Sequence, residues 1–295
     1  MPEYQRKKQE DAVEYGSKVG IVCCSNGLSN TRKEIVGQLA AYLKETGLVP
    51  VFSRYLYASD TVFSGTGQER AQMLMEFYRD SQIQAIFDIS GGDIANEVIP
   101  YLDFEIIAKC KKQLWGYSDL TVLLNAIYSK TGNTGILYQI RNLISGQGMM
   151  QRKAFEKTVF TDEKKLFDFP YQFIQGNHMA GIIAGGNIRC LLKLAGTEFF
   201  PDLTGKILCL EASGGDIPQM VSYLTQLKLM GSFEKINGII LGTFTKIEQE
   251  RQQPDIVSLV QSFAPDIPIL KTQKIGHGKD SFGVLIGGYC SLRDQ

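Results

Sequence analysis

The segment KKQLWGYSDLTVLLNAIYSK, residues 111–130, joins two hydrophobic patterns with no loop between them. Its first part, KKQLWGYS (111–118), is a short apolar run typical of a buried strand, and LTVLLNAIYSK (120–130) has helical periodicity. The same succession occurs upstream, with predicted strands at 18–24, 48–52 and 83–90 and helices at about 30–46, 71–79 and 94–102. Strands that alternate with helices predict a mostly parallel sheet covered on both faces.

The helix near residues 30–46 illustrates how these elements are recognised. Asn30 or Thr31 is expected to cap its N-terminus, because short polar side chains accept hydrogen bonds from the first turn. Its apolar stripe consists of Ile35, Leu39, Tyr42 and Leu43.

The second half of the chain is richer in glycine. Between about 145 and 177 the periodicity weakens, which predicts a connection between two domains. Beyond it, apolar runs predict strands at 179–186, 206–212, 236–244 and 282–292, and helices near 187–195, 217–229 and 255–263.

Composition excludes several classes of protein. The 295 residues include 31 Lys and Arg against 31 Asp and Glu, and 44% are hydrophobic, so we expect a globular protein without the basic excess of a nucleic-acid binder. No uncharged apolar run reaches the roughly 18–20 residues of a membrane span. The first eighteen residues are polar and charged, so we predict no secretory segment, no membrane partner and a cytoplasmic location.

Cofactor motifs are weak. Six scattered cysteines with no C-x-x-C pair, and two histidines, predict no metal site. SGTGQER (64–70) has only G-x-G, and no G-x-x-x-x-G-K-[ST] occurs. Nucleotide binding would therefore rest on the fold pattern alone.

Ser118 lies between the predicted strand and the predicted helix of the opening segment. The carboxyl ends of strands in open α/β sheets are where ligands bind, and a helix N-terminus offers unpaired N–H groups to an oxyanion. The alternative is that Ser118 or Asp119 caps the helix. Leu120 stands where the hydrolase elbow G-x-S-x-G has its last glycine.

A serine nucleophile needs a base, and His277 is the better of two choices. Gly276 and Gly278 flank it and leave it accessible, whereas His178 follows Gly176 near the predicted domain boundary. Glu211 ends the strand KILCLE and could orient the imidazole. Gly91 and Gly92 form a turn at the same edge of the sheet. Each residue also has an ordinary structural explanation, as a surface loop histidine, a strand-end charge or a tight turn.

The chain resembles the serine LD-carboxypeptidase family, which includes muropeptide LD-carboxypeptidases and microcin C self-immunity peptidases. The resemblance extends from about residue 18 to 290, and it rests on FSGTGQERAQML (63–74), AIFDISGGD (85–93), PYLDF (100–104), WGYSDLT (115–121), AGGNIRCLLKLAGTEFFPDLTGKILCLE (184–211) and KIGHGKD (274–280). It departs from the family at GILYQIRNLISG (135–146), which has no Gly-Pro, and after Glu211, where A-S-G-G-D replaces a more acidic run.

The resemblance implies a catalytic triad of Ser118, Glu211 and His277. It further implies an oxyanion hole made by backbone N–H groups near Gly92 and at Asp119, no cofactor, and a homodimer. Its two domains would be a Rossmann-like parallel-sheet domain, residues 1–160, carrying the serine, and a smaller C-terminal α/β domain of barrel-like shape, residues 161–295, carrying the glutamate and the histidine.

The expected reaction is removal of the C-terminal D-amino acid from a cytoplasmic muropeptide tetrapeptide through an acyl-enzyme. Asn187 and Arg141 are the expected substrate-binding residues, and Arg141 is preferred over Arg152 and Lys153 for the terminal carboxylate because a guanidinium binds it bidentately. Two alternatives remain open. One is hydrolysis of a microcin C-like peptidyl or aspartyl adenylate, and the other is a protein that binds a peptide or nucleotide without catalysis.

Overall fold

The computed structural model describes residues 2–4, 13–58, 61–146, 148–161 and 163–294. This part of the chain forms thirteen strands: β1 Glu3–Tyr4, β2 Lys18–Val22, β3 Val49–Phe52, β4 Ile83–Asp88, β5 Gln113–Gly116, β6 Gly135–Leu137, β7 Gln172–Gln175, β8 His178–Asn187, β9 Ile207–Ala212, β10 Gly238–Phe244, β11 Ile269–Lys271, β12 Val284–Ile286 and β13 Tyr289–Arg293. The α-helices of the same residues are α1 Lys33–Glu45, α2 Gly67–Arg79, α3 Phe104–Lys109, α4 Thr121–Thr131, α5 Gly148–Phe160, α6 Ile188–Leu191, α7 Ile217–Leu229, α8 Thr245–Glu250 and α9 Ile256–Phe263.

The first sheet has the order β12-β6-β5-β4-β2-β3, in which the five strands β2 to β6 run parallel. Successive residues of β4 face opposite sides: Ile86 packs with α2 and α4, and Phe87 packs with α1 and α5. Helices therefore cover both faces, as the alternating sequence predicts. Numbered along the chain, the parallel strands have the order 2-1-3-4-5, and their order reverses between β2 and β4. Open α/β sheets bind ligands beside the carboxyl ends at such a point.

The second sheet has the order β1-β13-β8-β9-β10-β11-β7 and curls into a half-barrel. Strands β8 to β11 are parallel, and β1, β13 and β7 join antiparallel. Helices α7 and α9 pack on one face around a core that includes Leu208, Leu210 and Ile239. The fold class is the predicted combination of a parallel-sheet unit and a barrel-like α/β unit.

The two sheets exchange strands from distant parts of the sequence. β12 pairs antiparallel with β6 of the first sheet, and β1 pairs with β13 of the second. The prediction of a single strand at 282–292 is therefore wrong, because this segment forms the two strands β12 and β13. Gly287, at φ +81°, turns the chain between β12 and β13, and its Cα lies so close to the Tyr128 ring that a Cβ would come within 2.5 Å of it. The boundary that we place between residues 160 and 161 stays a prediction.

Two further local expectations are corrected. The segment predicted as an interdomain loop contains α5, whose few buried residues include Phe155 and Val159 and leave little periodic signal. The cap before α1 is Ser29, whose Oγ accepts from the Thr31 N–H of a short 3₁₀ helix, Asn30–Arg32. Ile35 is exposed, and Val36 takes its place on the buried stripe.

The charged stretch at residues 5–12 lies outside the described residues. Among the residues that are described, no helix combines the length and the apolar character that crossing a membrane requires.

Candidate active site

Ser118 follows β5 in a sharp turn between a strand and a helix. Tyr117 is extended, with φ −147° and ψ 161°, and Ser118 then has φ +55°, after which a 3₁₀ helix, Ser118–Leu120, leads into α4. This left-handed conformation costs a residue with a Cβ on the order of 1 kcal/mol, and such strain is concentrated at functional sites. The N-cap alternative is wrong for both residues. Tyr117 occupies the cap position without a side-chain hydrogen bond, and the Ser118 and Asp119 side chains have other partners.

The turn places the Ser118 hydroxyl beside an imidazole and a buried carboxylate. His277 Nε2 lies 3.2 Å from Ser118 Oγ, and His277 Nδ1 lies 2.8 Å from Glu211 Oε2. Glu211 is the penultimate residue of β9 and is fully buried, while the His277 side chain keeps 20% of its surface exposed. With Nδ1 donating to the carboxylate, Nε2 presents its lone pair to the hydroxyl and can take its proton.

Asn187 fixes the other oxygen of Glu211. Its Nδ2 donates to Glu211 Oε1 over 3.0 Å, and its Oδ1 accepts from the Cys190 N–H as the cap of α6. Because both ends of this buried amide have partners within the chain, its geometry is that of a group that orients Glu211. Substrate contact by Asn187 stays a prediction.

The loop that carries His277 is held by hydrogen bonds and by close packing. Ser281 Oγ donates to the Gly276 carbonyl over 2.6 Å, and Lys274 pairs with Asp280. Gly276 has φ +144°, and a Cβ there would overlap the Thr243 hydroxyl. The ring of Tyr117 packs against the imidazole, with ring centroids 4.6 Å apart. His178, by contrast, is exposed at the start of β8 and pairs with Arg293 in the ladder.

The turn after β4 carries Gly92, at φ +137°. The Asn26 side chain lies against its Cα, and Asn26 Oδ1 accepts from the Asp93 N–H over 2.9 Å. Arg189 of the second unit pairs with Asp93 and donates to the Gly92 carbonyl over 3.2 Å. Contacts from both units therefore fix this turn.

Asp119, the residue after Ser118, has a fully buried carboxylate with three partners. Oδ2 accepts from Ser25 Oγ at 2.6 Å and from the Ala95 N–H at 2.8 Å, and Oδ1 accepts from Lys193 Nζ at 2.5 Å. The Asp119 N–H belongs to the first turn of the 3₁₀ helix, where backbone donors have no partner within the helix. The side-chain contacts therefore fix the direction of this N–H.

A cavity of about 300 Å³ opens beside His277 and Tyr117. Arg141 lines it, as do Arg32 and Lys279, and none of its lining residues is Asp or Glu. Burial lowers the pKa of Arg141, and the positive charge of Arg32 lowers it further. The other two cations considered from sequence lie elsewhere: Arg152 donates to the Leu143 carbonyl and stacks on Tyr42, and Lys153 is exposed.

Sequence reasoning missed Arg32, Tyr117 and Lys193. Arg32 does leave a signal, because it occupies the N-cap position of α1, where the helix dipole disfavours a cation. Lys193 leaves none, since its partner Asp119 lies 74 positions away in the sequence.

An open α/β sheet with a hydroxyl, an imidazole and a buried carboxylate in one chain of hydrogen bonds defines a hydrolase-like class. The LD-carboxypeptidase N-terminal domain matches residues 19–138, and the LD-carboxypeptidase C-terminal domain matches residues 180–292. The chain belongs to the LD-carboxypeptidase family and is a peptidase by that membership.

Two curated relatives and one solved structure resemble the chain closely. A Bacillus subtilis (strain 168) protein named "Probable murein peptide carboxypeptidase" is 29% identical over 266 residues, which are 85% of this chain and 82% of the relative. The microcin C7 self-immunity protein MccF of Escherichia coli is 29% identical over 259 residues, 77% of this chain and 75% of the relative. The structure of MccF with aspartyl sulfamoyl adenosine has a TM-score of 0.83 at 24% identity, covering 96% of this chain and 98% of the other.

Proposed function

We propose that the protein is a serine-type LD-carboxypeptidase that uses Ser118, His277 and Glu211 as a catalytic triad. The observation that carries this proposal is the continuous hydrogen-bonded chain from Ser118 Oγ through the imidazole to the buried Glu211 carboxylate. A protein that only binds peptides or nucleotides has no need of this arrangement, which therefore favours catalysis.

In this mechanism Ser118 Oγ attacks the carbonyl carbon of the terminal amide, and His277 Nε2 takes the hydroxyl proton. Glu211 holds the imidazole in the tautomer that accepts at Nε2 and stabilises the imidazolium that forms. His277 then protonates the leaving amine, and water hydrolyses the acyl-enzyme by the same route. The N–H groups of Gly92 and Asp119 donate to the oxyanion.

The proposed substrate is a muropeptide tetrapeptide in the cytoplasm, from which the enzyme removes the C-terminal D-amino acid. The murein peptide name of the Bacillus subtilis relative supports this choice. Arg141, in the cavity beside His277, is the proposed group that reads the terminal carboxylate. Both units contribute to the site, Ser118 from the first and Glu211 and His277 from the second, in keeping with the proposed domains. A homodimer remains part of the proposal.

A second substrate class is supported by MccF, whose structure contains aspartyl sulfamoyl adenosine. In that case the same triad would hydrolyse the amide between an acidic amino acid and a nucleotide-like group. The triad cannot separate the two substrates, because the attack on the amide is the same in both.

The test is to incubate the protein with a purified muropeptide tetrapeptide and, separately, with an aspartyl sulfamoyl or phosphoramidate nucleotide, and to identify the products by mass. We expect release of D-alanine from the tetrapeptide, and turnover lower by several orders of magnitude in Ser118→Ala. Cleavage of only the nucleotide conjugate would replace the substrate proposal. Equal turnover by wild type and Ser118→Ala would overturn the nucleophile.

The base can be tested with the two histidines of the chain as a matched pair. His277→Asn should lose nearly all hydrolysis, because Asn cannot take the serine proton. His178→Asn, at an exposed position, should retain wild-type kcat/KM. Steady-state rates of the two variants decide the assignment, and full activity in His277→Asn would reject it.

A further inference from the structure

We propose that the cavity beside His277 is an anion subsite for the leaving group, in which Arg32 and Arg141 together bind a carboxylate or a phosphate-type group carried by the departing amine. The inference rests on the proposed function, since it takes His277 as the residue that protonates that amine. To Arg141, which the proposed function already assigns to the terminal carboxylate, it adds Arg32 as a second cation, and it places the negative charge of the leaving group in this cavity.

The first argument is that neither arginine has an ion-pair partner among the described residues, because the Asp88 carboxylate acts on Arg141 only from beyond ion-pair distance. Arg141 is half-buried, and its side chain donates to Gln139 Oε1 over 3.2 Å. Among the residues that the structure describes, no carboxylate lies within ion-pairing distance of Arg32 or Arg141. Arg141 is half-buried and therefore partly desolvated, and the positive charges of Arg32 and Arg141 repel each other. An anion bound between the two guanidinium groups would offset both costs.

The second argument is the way α1 presents Arg32. Residues 32, 35 and 38 all line the cavity, so one face of the start of α1 forms a wall of it. A cation at this end of a helix opposes the helix dipole, at a cost that a bound anion would offset. The neighbouring Lys33 lies over the Tyr57 ring instead and is not part of the cavity lining.

The third argument is the position of the imidazole. His277 both lines the cavity and contacts Ser118, so an amine protonated by Nε2 leaves at the mouth of this cavity. In a C-terminal amino acid, the carboxylate is two bonds from that amine. In an acyl phosphoramidate, the anionic phosphorus centre is bonded directly to the nitrogen. Both leaving groups place an anion on the amine side of the scissile bond, where the same wall can bind it.

The cavity is lined by both apolar and cationic side chains, which suits a small leaving group that has an apolar side chain and an anionic group. Ile35 and Ile144 lie among its lining residues beside the cations, and the buried Tyr117 hydroxyl has no hydrogen-bond partner among the described residues. A methyl side chain and a carboxylate would match these surfaces.

Direct binding separates this inference from the proposed function, because it needs no turnover. Inorganic phosphate and D-alanine would be titrated by calorimetry into full-length Ser118→Ala, with D-alaninamide as the uncharged-terminus control. We expect the phosphate and D-alanine to bind and the amide not to. Adding Arg32→Gln or Arg141→Gln should weaken binding roughly tenfold or more, because each removes a charge-assisted hydrogen bond.

Lys33→Gln is the matched control, since it removes one positive charge next to Arg32 but outside the cavity. It should leave binding within twofold of the parent. Equal weakening by Lys33→Gln and Arg32→Gln would mean a general charge effect and would overturn the subsite. Absence of binding to the parent at millimolar phosphate and D-alanine would overturn it as well.

Kinetics on the otherwise wild-type chain then identify the source of the anion. If the cavity binds the leaving group, Arg32→Gln and Arg141→Gln should raise KM roughly tenfold or more, with a smaller change in kcat, on whichever substrate is turned over, the tetrapeptide or an acyl phosphoramidate. Arg141→Lys should recover part of the loss. A tetrapeptide with an amidated C-terminus should be insensitive to these changes. Unchanged KM in both glutamine variants would overturn the inference while leaving the triad in place.

Discussion

Ser118 combines the hydroxyl that we propose as the nucleophile with a backbone conformation that a residue with a Cβ disfavours. The φ of +55° lifts Oγ towards His277, and the residue before it is still extended as part of the strand end. A serine with an ordinary helical φ would direct its side chain along the first turn and act as a cap. The left-handed φ of Ser118 therefore costs conformational energy, but it directs the hydroxyl towards the imidazole.

This strain can be measured with two inactive variants. Both Ser118→Ala and Ser118→Gly remove the hydroxyl, but only glycine adopts a positive φ without a Cβ penalty. We expect Ser118→Gly to be more stable than Ser118→Ala by about 1 kcal/mol, measured by urea unfolding. At an unstrained position glycine would make the protein less stable than alanine by roughly 0.5–1 kcal/mol, because it loses more backbone entropy on folding, and that result would show that position 118 is not strained.

For individual residues, the sequence predicts which residues belong to the candidate site, but it does not predict which of them contact each other. The residues flanking Ser118, Glu211 and His277, together with the family resemblance, single out these three positions. The hydrogen bond from Asn187 to Glu211, and the placement of Arg32 and Arg141 in one cavity, depend on how separate elements pack. Neither arrangement could be derived from local pattern, because the residues of each pair are far apart in the sequence.

At the scale of secondary-structure elements, the short helices that follow β8 in the second unit carry Lys193, which contacts the first unit beside the proposed oxyanion hole. Lys193 follows α6, and its Nζ donates both to the buried Asp119 carboxylate and to the Asp93 carbonyl at 2.7 Å. One side chain thus holds the residue after Ser118 and the residue after Gly92. We interpret Lys193 as a positioning residue for both backbone donors.

Lys193→Met should therefore lower kcat more than it raises KM, since the donors act mainly in the transition state. It should also cost on the order of 3 kcal/mol in stability, because it removes the cationic partner of a buried carboxylate. Lys130→Met is the control: its partner Glu198 is 70% exposed, so solvent screens this pair, which should contribute about 0–1 kcal/mol. Loss of stability with unchanged kcat would reject the positioning role.

Helices and strands can be predicted from the sequence where apolar residues form continuous or regularly spaced runs. The strands around 18–24, 83–90 and 206–212 were found because buried parallel strands are continuous apolar runs. α5 was missed because the apolar residues of GMMQRKAFEKTVF do not follow its buried face: Met149 and Met150 are exposed, and its packing rests on a few side chains. The split of 282–292 was missed because FGVLIGGYCSL contains no charged residue and reads as one continuous run, and only the contact of Gly287 with Tyr128 shows where the chain turns.

At the scale of the whole molecule, the exchange of strands ties the two sheets into one structure. β12 comes from the C-terminal part of the sequence, yet Val284 and Ile286 are fully buried in the first sheet. The proposed triad requires this tie, because Ser118 and His277 belong to different units and must remain in hydrogen-bond contact.

We therefore expect the two sheets to unfold together. Trp115, the single tryptophan, lies in β5 and reports on the first sheet, and the double variant Trp115→Phe/Phe263→Trp moves this probe to α9 on the second sheet. Urea midpoints from the two fluorescence signals, and from far-UV circular dichroism, should coincide. Ile286→Ala should shift all of them downward equally, by the roughly 2–5 kcal/mol of a truncated core residue. If β12 is only a loose attachment, Ile286→Ala will instead lower the Trp115 midpoint alone, and the second sheet will unfold at its original urea concentration.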